Sequence, residues 1–239
     1  MKTGRALVAG IAAVVGLLTV VDQVSAAARP EPTIVAETAD GLIIFVEDAG
    51  AIVDGASRWP ATKLEALVRF YDEAVARYTA PSAFGSLDRW AEAFGISKDN
   101  PIRVIYVGRG RDAAPARAGR IAGIPVITHF ALRTSVSTAG VQLVLHEMAH
   151  IWDSAHDWAL GEAIADTVQN PDAFPTAKAR DEGPKEDFAE SVTATLWPGY
   201  AVNQEWSDND RDNAGSTAPA HNRRPILDRC DYVEGLLRQ

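Results

Sequence analysis

The chain has 239 residues, 47% of them hydrophobic and 23% charged, so it can bury a core without cross-links. Its formal net charge of −9 argues against nucleic acid or an anionic membrane surface as a partner. Cys230 is the only cysteine, which excludes a disulfide within the chain.

The first segment carries Lys2 and Arg5, then an uncharged apolar run from Ala6 to Val21, then small residues up to Ala28. That order is the order of a secretory signal peptide, with cleavage after Ala26, Ala27 or Ala28. The alternative is a single uncleaved anchor, for which the run is short. The expectation is therefore a leader over 1–28 and one secreted domain over 29–239, with no membrane association after cleavage.

Residues 30–40 read as a linker, and "GLIIFVED" (41–48) as a strand. In "WPATKLEALVRFYDEAVARY" the residues Leu64, Leu67, Val68, Tyr71, Val75 and Tyr78 recur at helical spacing. Thr62 and Glu65 are placed to form a capping box at the start of that helix. "SLDRWAEAF" (86–94) predicts a shorter helix with Leu87, Trp90 and Phe94 inward, and "PIRVIYVG" (101–108) a strand. Residues 109–120 read as a basic loop, whose arginines would be solvated or would grip an acidic substrate. "GIPVITHF" (123–130) reads as a strand, placed at a sheet edge by Pro125. Few strands and many helices indicate an α+β fold.

"STAGVQLVLHEMAHIWD" (137–153) is the informative helix, with Ser137 or Thr138 as its cap. Val141, Val144, Leu145, Met148, Ile151 and Trp152 share one face; His146, Glu147, His150 and Asp153 share the other. His146 and His150 stand one turn apart, so both imidazoles can reach one Zn²⁺. Glu147, beside them, would act as general base on a water activated by the ion. The competing reading is a surface helix with incidental histidines. A catalytic zinc needs a third protein ligand. Two stretches offer one: "WALGEAIADT", with Glu162 and Asp166, and "GPKEDFAESVTATL", with Glu186 and Glu190. Pro184 begins the second helix well, and Phe188, Val192 and Thr195 would pack inward.

"HEMAH" followed by "EDFAES" resembles the zincin metallopeptidases with a glutamate third ligand, the gluzincins, and within them the lethal-factor-type domains. The likeness covers Val144 to Trp197. It implies a zincin-like fold: a small mixed sheet, then the active-site helix, then a mainly helical C-terminal part. It implies a zinc endopeptidase acting on peptides or proteins, with one Zn²⁺ held by His146, His150 and Glu186. It makes Glu190 the partner of a histidine's second ring nitrogen, with Asp153 a further candidate for that role. "GEAIAD" resembles the second signature of thermolysin-type enzymes and keeps Glu162 as the alternative ligand. One position departs from the lethal-factor pattern. The tyrosine expected seven residues before the ligand glutamate is Ala179, leaving Tyr200, His156 or His221 to stabilise the oxyanion. A zinc-binding module of the same fold without turnover is the competing function.

The polar segment 203–225 contains Asp208, Asp210 and Asp212 at EF-hand spacing, but Asn213 and Pro219 stand where that loop needs glycine and glutamate, so a loop is expected. "PILDRCDYVEGLLRQ" reads as a closing helix with Ile226, Cys230 and Val233 inward.

Overall fold

The computed structural model describes residues 31–108, 115–130, 139–169, 174–197 and 227–239. The expected leader, Tyr200, His221, the caps Ser137 and Thr138, the arginines of 109–114, Ile226 and the 203–225 segment lie outside those residues. Among the described residues, five strands form one mixed sheet and seven α-helices accompany it.

The strands are β1 (Thr33–Glu37), β2 (Ile43–Glu47), β3 (Ile102–Val107), β4 (Ala116–Ile121) and β5 (Ile124–Phe130). Their order is β1-β2-β3-β5-β4; β2, β3 and β5 are parallel, and β1 and β4 run antiparallel at the two edges. The central strands are mostly apolar because both faces are covered. Ile43, Phe45, Ile102, Val104 and Ile127 face the main core, while Ile44, Val46, Ile105 and Val126 pack on the other side under Ala49, Ile52, Val53 and Ala56.

The helices are α1 (Ala61–Tyr78), α2 (Leu87–Ala93), α3 (Ala139–Ala155), α4 (Ala159–Thr167), α5 (Ala177–Glu182), α6 (Pro184–Leu196) and α7 (Leu227–Leu237). The core of α1, α2, α3, α6 and α7 lies with the main face of the sheet. Its centre is aromatic: Trp152 stacks on Phe94 and meets Phe84 and Phe188 edge-on. Cys230 and Val233 are buried on α7, as expected. No helix among the described residues is long and apolar enough to cross a membrane.

Several local expectations are corrected. The supposed linker contains β1, which pairs with β2. The basic loop gives way to β4 from Ala116 onward, because β4 closes on β5 through a two-residue turn with Ala122 and Gly123 both at positive φ. β5 is internal and β4 is the edge. Pro125 is tolerated because the β3–β5 ladder starts one residue later, at Arg103–Val126, so no pairing with β3 requires the missing N–H. Helix α1 starts on Pro60, whose carbonyl accepts from Lys63 and Leu64, so Thr62 lies inside the helix and the capping box does not form. Leu87 is exposed in the first turn of α2, and Thr195 is half-buried with its hydroxyl turned to the Ser191 carbonyl.

Candidate metal centre

Helix α3 carries two buried faces. Val141, Val144, Leu145, Met148, Ile151 and Trp152 fill the core. The opposite side is not a solvated face: His146, Glu147, His150 and Asp153 are buried too, with α3 packed against α6 and the edge strand β4. Burying four titratable side chains is costly unless they are paired with one another or with an ion.

The chain between His150 and Glu186 forms α4 and α5 and then enters α6. Gly183, at φ 96°, makes that entry in a conformation other residues avoid, and Pro184 takes the first helical position. Glu186 therefore sits in the first turn of α6 and Glu190 one turn later, both aimed at α3. Glu186 Oε2 is 3.0 Å from His146 Nε2, and Glu186 Oε1 is 3.2 Å from His150 Nε2. The two Nε2 atoms are 3.1 Å apart. Glu190 Oε1 is 3.1 Å from His146 Nδ1, although the N–H does not point straight at it. Glu190 thus stands beside Nδ1, the nitrogen that would carry the ring proton if Nε2 ligated an ion.

These distances suit an ion. Three donors at about 2.0–2.1 Å from one tetrahedral centre stand about 3.3 Å from each other. The two Nε2 atoms stand 3.1 Å apart, and each has one oxygen of the Glu186 carboxylate at 3.0 or 3.2 Å, Oε2 beside His146 and Oε1 beside His150. Glu186 Oε2 also approaches Lys178 Nζ at 2.8 Å, yet it is aligned for a hydrogen bond with neither Lys178 nor His146. A carboxylate oxygen this close to two nitrogens without a hydrogen bond to either is compatible with a shared cation. Among the described residues, His146, His150 and Glu186 are the one group of three or more His, Cys, Asp or Glu close enough to hold a metal.

The electrostatics lean the same way. Burial opposes charge on His146, but Glu186 and Glu190, with Glu147 behind them, outweigh it and raise its pKa to about 10. Burial pushes Glu186 up, yet both imidazoles overcome this and hold it well below the usual carboxylate range. Glu147, 3% exposed, is raised by burial, against the pull of His146, His150 and Lys178, and its Oε2 has no hydrogen-bond partner among the described residues. Burial likewise disfavours charge on Lys178, but Glu186, Glu147 and Glu190 together hold its pKa above the ordinary value. Three carboxylates thus surround the two imidazoles with one ammonium group among them, a surplus of negative charge that a divalent cation would answer.

The remaining candidates fall elsewhere. Glu162 is exposed on α4, outside the cluster, so the thermolysin-like alternative for the third ligand is not supported. Asp153 is buried, but its Oδ1 accepts from the backbone N–H groups of Leu160 and Gly161 and so holds the start of α4. It is Glu190 that meets a histidine's second nitrogen. His156 is exposed, with Nε2 on the Ala93 carbonyl at the end of α2, which turns it away from an oxyanion role. Ala179 is fully buried, and its N–H is taken by the Thr176 hydroxyl that caps α5. The neighbouring Lys178 reaches the site instead, with Nζ 3.2 Å from His146 Nε2. Sequence reasoning missed Lys178; its position beside the departing Ala179 was the only signal.

Compared with family models, with curated proteins and with solved structures, the chain matches none. The functional reading therefore stands on this geometry and on the motif resemblance alone.

Proposed function

We propose that the chain is a zinc-dependent peptidase of zincin-like fold, exported by its N-terminal leader. The observation that carries this reading is the convergence of His146 Nε2, His150 Nε2 and the Glu186 carboxylate at 3.0–3.2 Å, with Glu147 buried beside them. An ion of zinc type held there supplies Lewis acidity, polarising a peptide carbonyl and lowering the pKa of water to about 7.

The side chains do the rest. Glu147 accepts a proton from the attacking water and returns it to the leaving amine nitrogen. Its burial raises its basicity toward neutral pH, where that exchange is efficient. Glu190 keeps His146 in the Nδ1-protonated form, and Glu186 completes the donor set. An extended substrate would lie along β4, the antiparallel edge strand next to α3. Gly119 on β4 has no side chain to separate that edge from the Trp158 ring, whose centre is 6.4 Å from that of His150.

The test is hydrolysis of a mixed peptide substrate by the zinc-loaded chain and by Glu147→Gln. The reading expects turnover in the first, a loss of about 10²-fold or more in the second, and one zinc bound by both. Zinc bound without turnover in either would favour the binding module. No zinc bound at all would end the metal reading.

A further inference from the structure

The position at which the motif resemblance implies a tyrosine is Ala179, and the residue beside it, Lys178, carries an ammonium group to the donor set. Thr176, fully buried, caps α5 by accepting from Ala179 N–H, and Ala179 points into the interior. This fixes the first turn of α5 so that Lys178 projects over the donor set. Its Nζ lies 2.8 Å from Glu186 Oε2 and 3.2 Å from His146 Nε2, touching two of the three proposed ligand side chains. The stem remains 37% exposed, so the ammonium group enters from the solvent side, from which substrate would also come.

An ion pair with Glu186 at 2.8 Å is the simplest account of this contact while no ion is bound, and it leaves the role of Nζ open once Glu186 and His146 act as ligands. Glu186 Oε2 is not aligned to accept from Nζ. If both Glu186 oxygens and His146 Nε2 are committed to an ion, they have little left to offer a lysine. A second cation at the rim of a metal site gains most from negative charge that appears during reaction, and it repels the ion otherwise.

We propose that Lys178 is a catalytic residue of this site, donating from Nζ to the substrate carbonyl oxygen as that oxygen becomes anionic. The inference rests on the peptidase reading above. In the step concerned, the water oxygen bonds to the carbonyl carbon, the C=O π pair moves onto oxygen and Glu147 takes the water proton. The Lys178 ammonium stabilises the resulting oxyanion without giving up its own proton. When the C–N bond breaks, the oxygen's pair re-forms the carbonyl and Glu147 protonates the nitrogen.

The test uses the full chain, Lys178→Met and Lys178→Arg, with Lys178→Gln as a second neutral variant should the methionine variant fold poorly. Zinc affinity is measured first, by competition with a chromophoric chelator. Binding of acetohydroxamate to the zinc-loaded proteins is then measured by calorimetry, since this probe places an anionic oxygen at the site without requiring a known cleavage specificity. The expected result is zinc affinity unchanged or higher in the neutral variants, acetohydroxamate binding weaker by about tenfold or more, and recovery to within about fivefold in the arginine variant. Hydroxamate binding equal to wild type in the neutral variants would overturn the proposal. So would a tenfold loss of zinc affinity in them, which would make Lys178 a structural counter-ion of Glu186. Failure of the unaltered chain to bind zinc would instead defeat the peptidase reading, and this inference with it.

Discussion

Glu186 and Glu162 are both glutamates in the first turn of a short helix, and they differ in where that turn ends up. Glu186 lies within 3.2 Å of both imidazoles, whereas Glu162 faces solvent. Glu186→Ala should therefore abolish stoichiometric zinc binding and Glu162→Ala should leave it intact, as measured by metal analysis after dialysis. A second residue-level consequence concerns His129 on β5. Its ring is fully buried, Nε2 meets the Tyr71 hydroxyl at 2.9 Å, and Nδ1 has no hydrogen-bond partner among the described residues. Burial lowers its pKa from 6.5 to about 4. The unfolded chain then binds the extra proton before the folded chain does, so acid favours unfolding. Stability from this group is intact above pH 6.5 and is lost progressively as pH falls toward 4. The full loss is roughly 3 kcal/mol by linkage. Urea unfolding at a series of pH values should show this slope in the wild type and a flatter one in His129→Gln.

At the scale of elements, α6 is the piece that makes the site, since among the described residues it is the element that brings Glu186 back to the two histidines of α3. It is buried from Asp187 to Ala194 and held from behind by α7. The lock is ionic: Arg229 Nε donates to Asp187 Oδ1 at 2.8 Å and to Oδ2 at 3.0 Å, with both side chains almost wholly buried. Removing one partner breaks a buried charge pair. Asp187→Ala should cost about 3–5 kcal/mol in chemical denaturation, while replacing both residues by Met and Leu should cost far less. A similar cost in the double variant would mean that the helices depend on packing there and not on the pair. Gly161 shows how close the neighbouring helices come: a Cβ added to it would stand 2.8 Å from Asp153 Oδ2 and 2.9 Å from the Pro184 carbonyl oxygen.

For the whole molecule, the ligand set joins α3 to α6, two elements distant in sequence whose separation is part of unfolding. An ion that binds the folded chain and not the unfolded one stabilises it by mass action. Free zinc at about a thousand times its dissociation constant should add about 4 kcal/mol, which for a chain of this size raises Tm by roughly 10 °C. Calorimetry with zinc and after chelation should show that difference. An unchanged Tm would mean that the cluster binds no ion in the folded state.

The helical and strand periods, the apolar runs of β2 and β3 and the HExxH spacing of α3 were legible because each is set by residues within one turn or one strand. The same local rules named Glu190 as a histidine's partner only through resemblance, and they misread β1, the edge strand, Leu87 and the start of α1. Those features depend on which neighbour an element meets, and neighbours are chosen by burial across the whole chain. The sequence by itself determined that two imidazoles and a carboxyl share one side of a helix. Tertiary packing decided that this side is buried, that α6 and not α4 returns a carboxylate to it, and that Lys178 reaches Glu186 and His146. The physical reason is that coordination geometry is fixed to tenths of an ångström by contacts between elements, and no spacing along a single element can specify them.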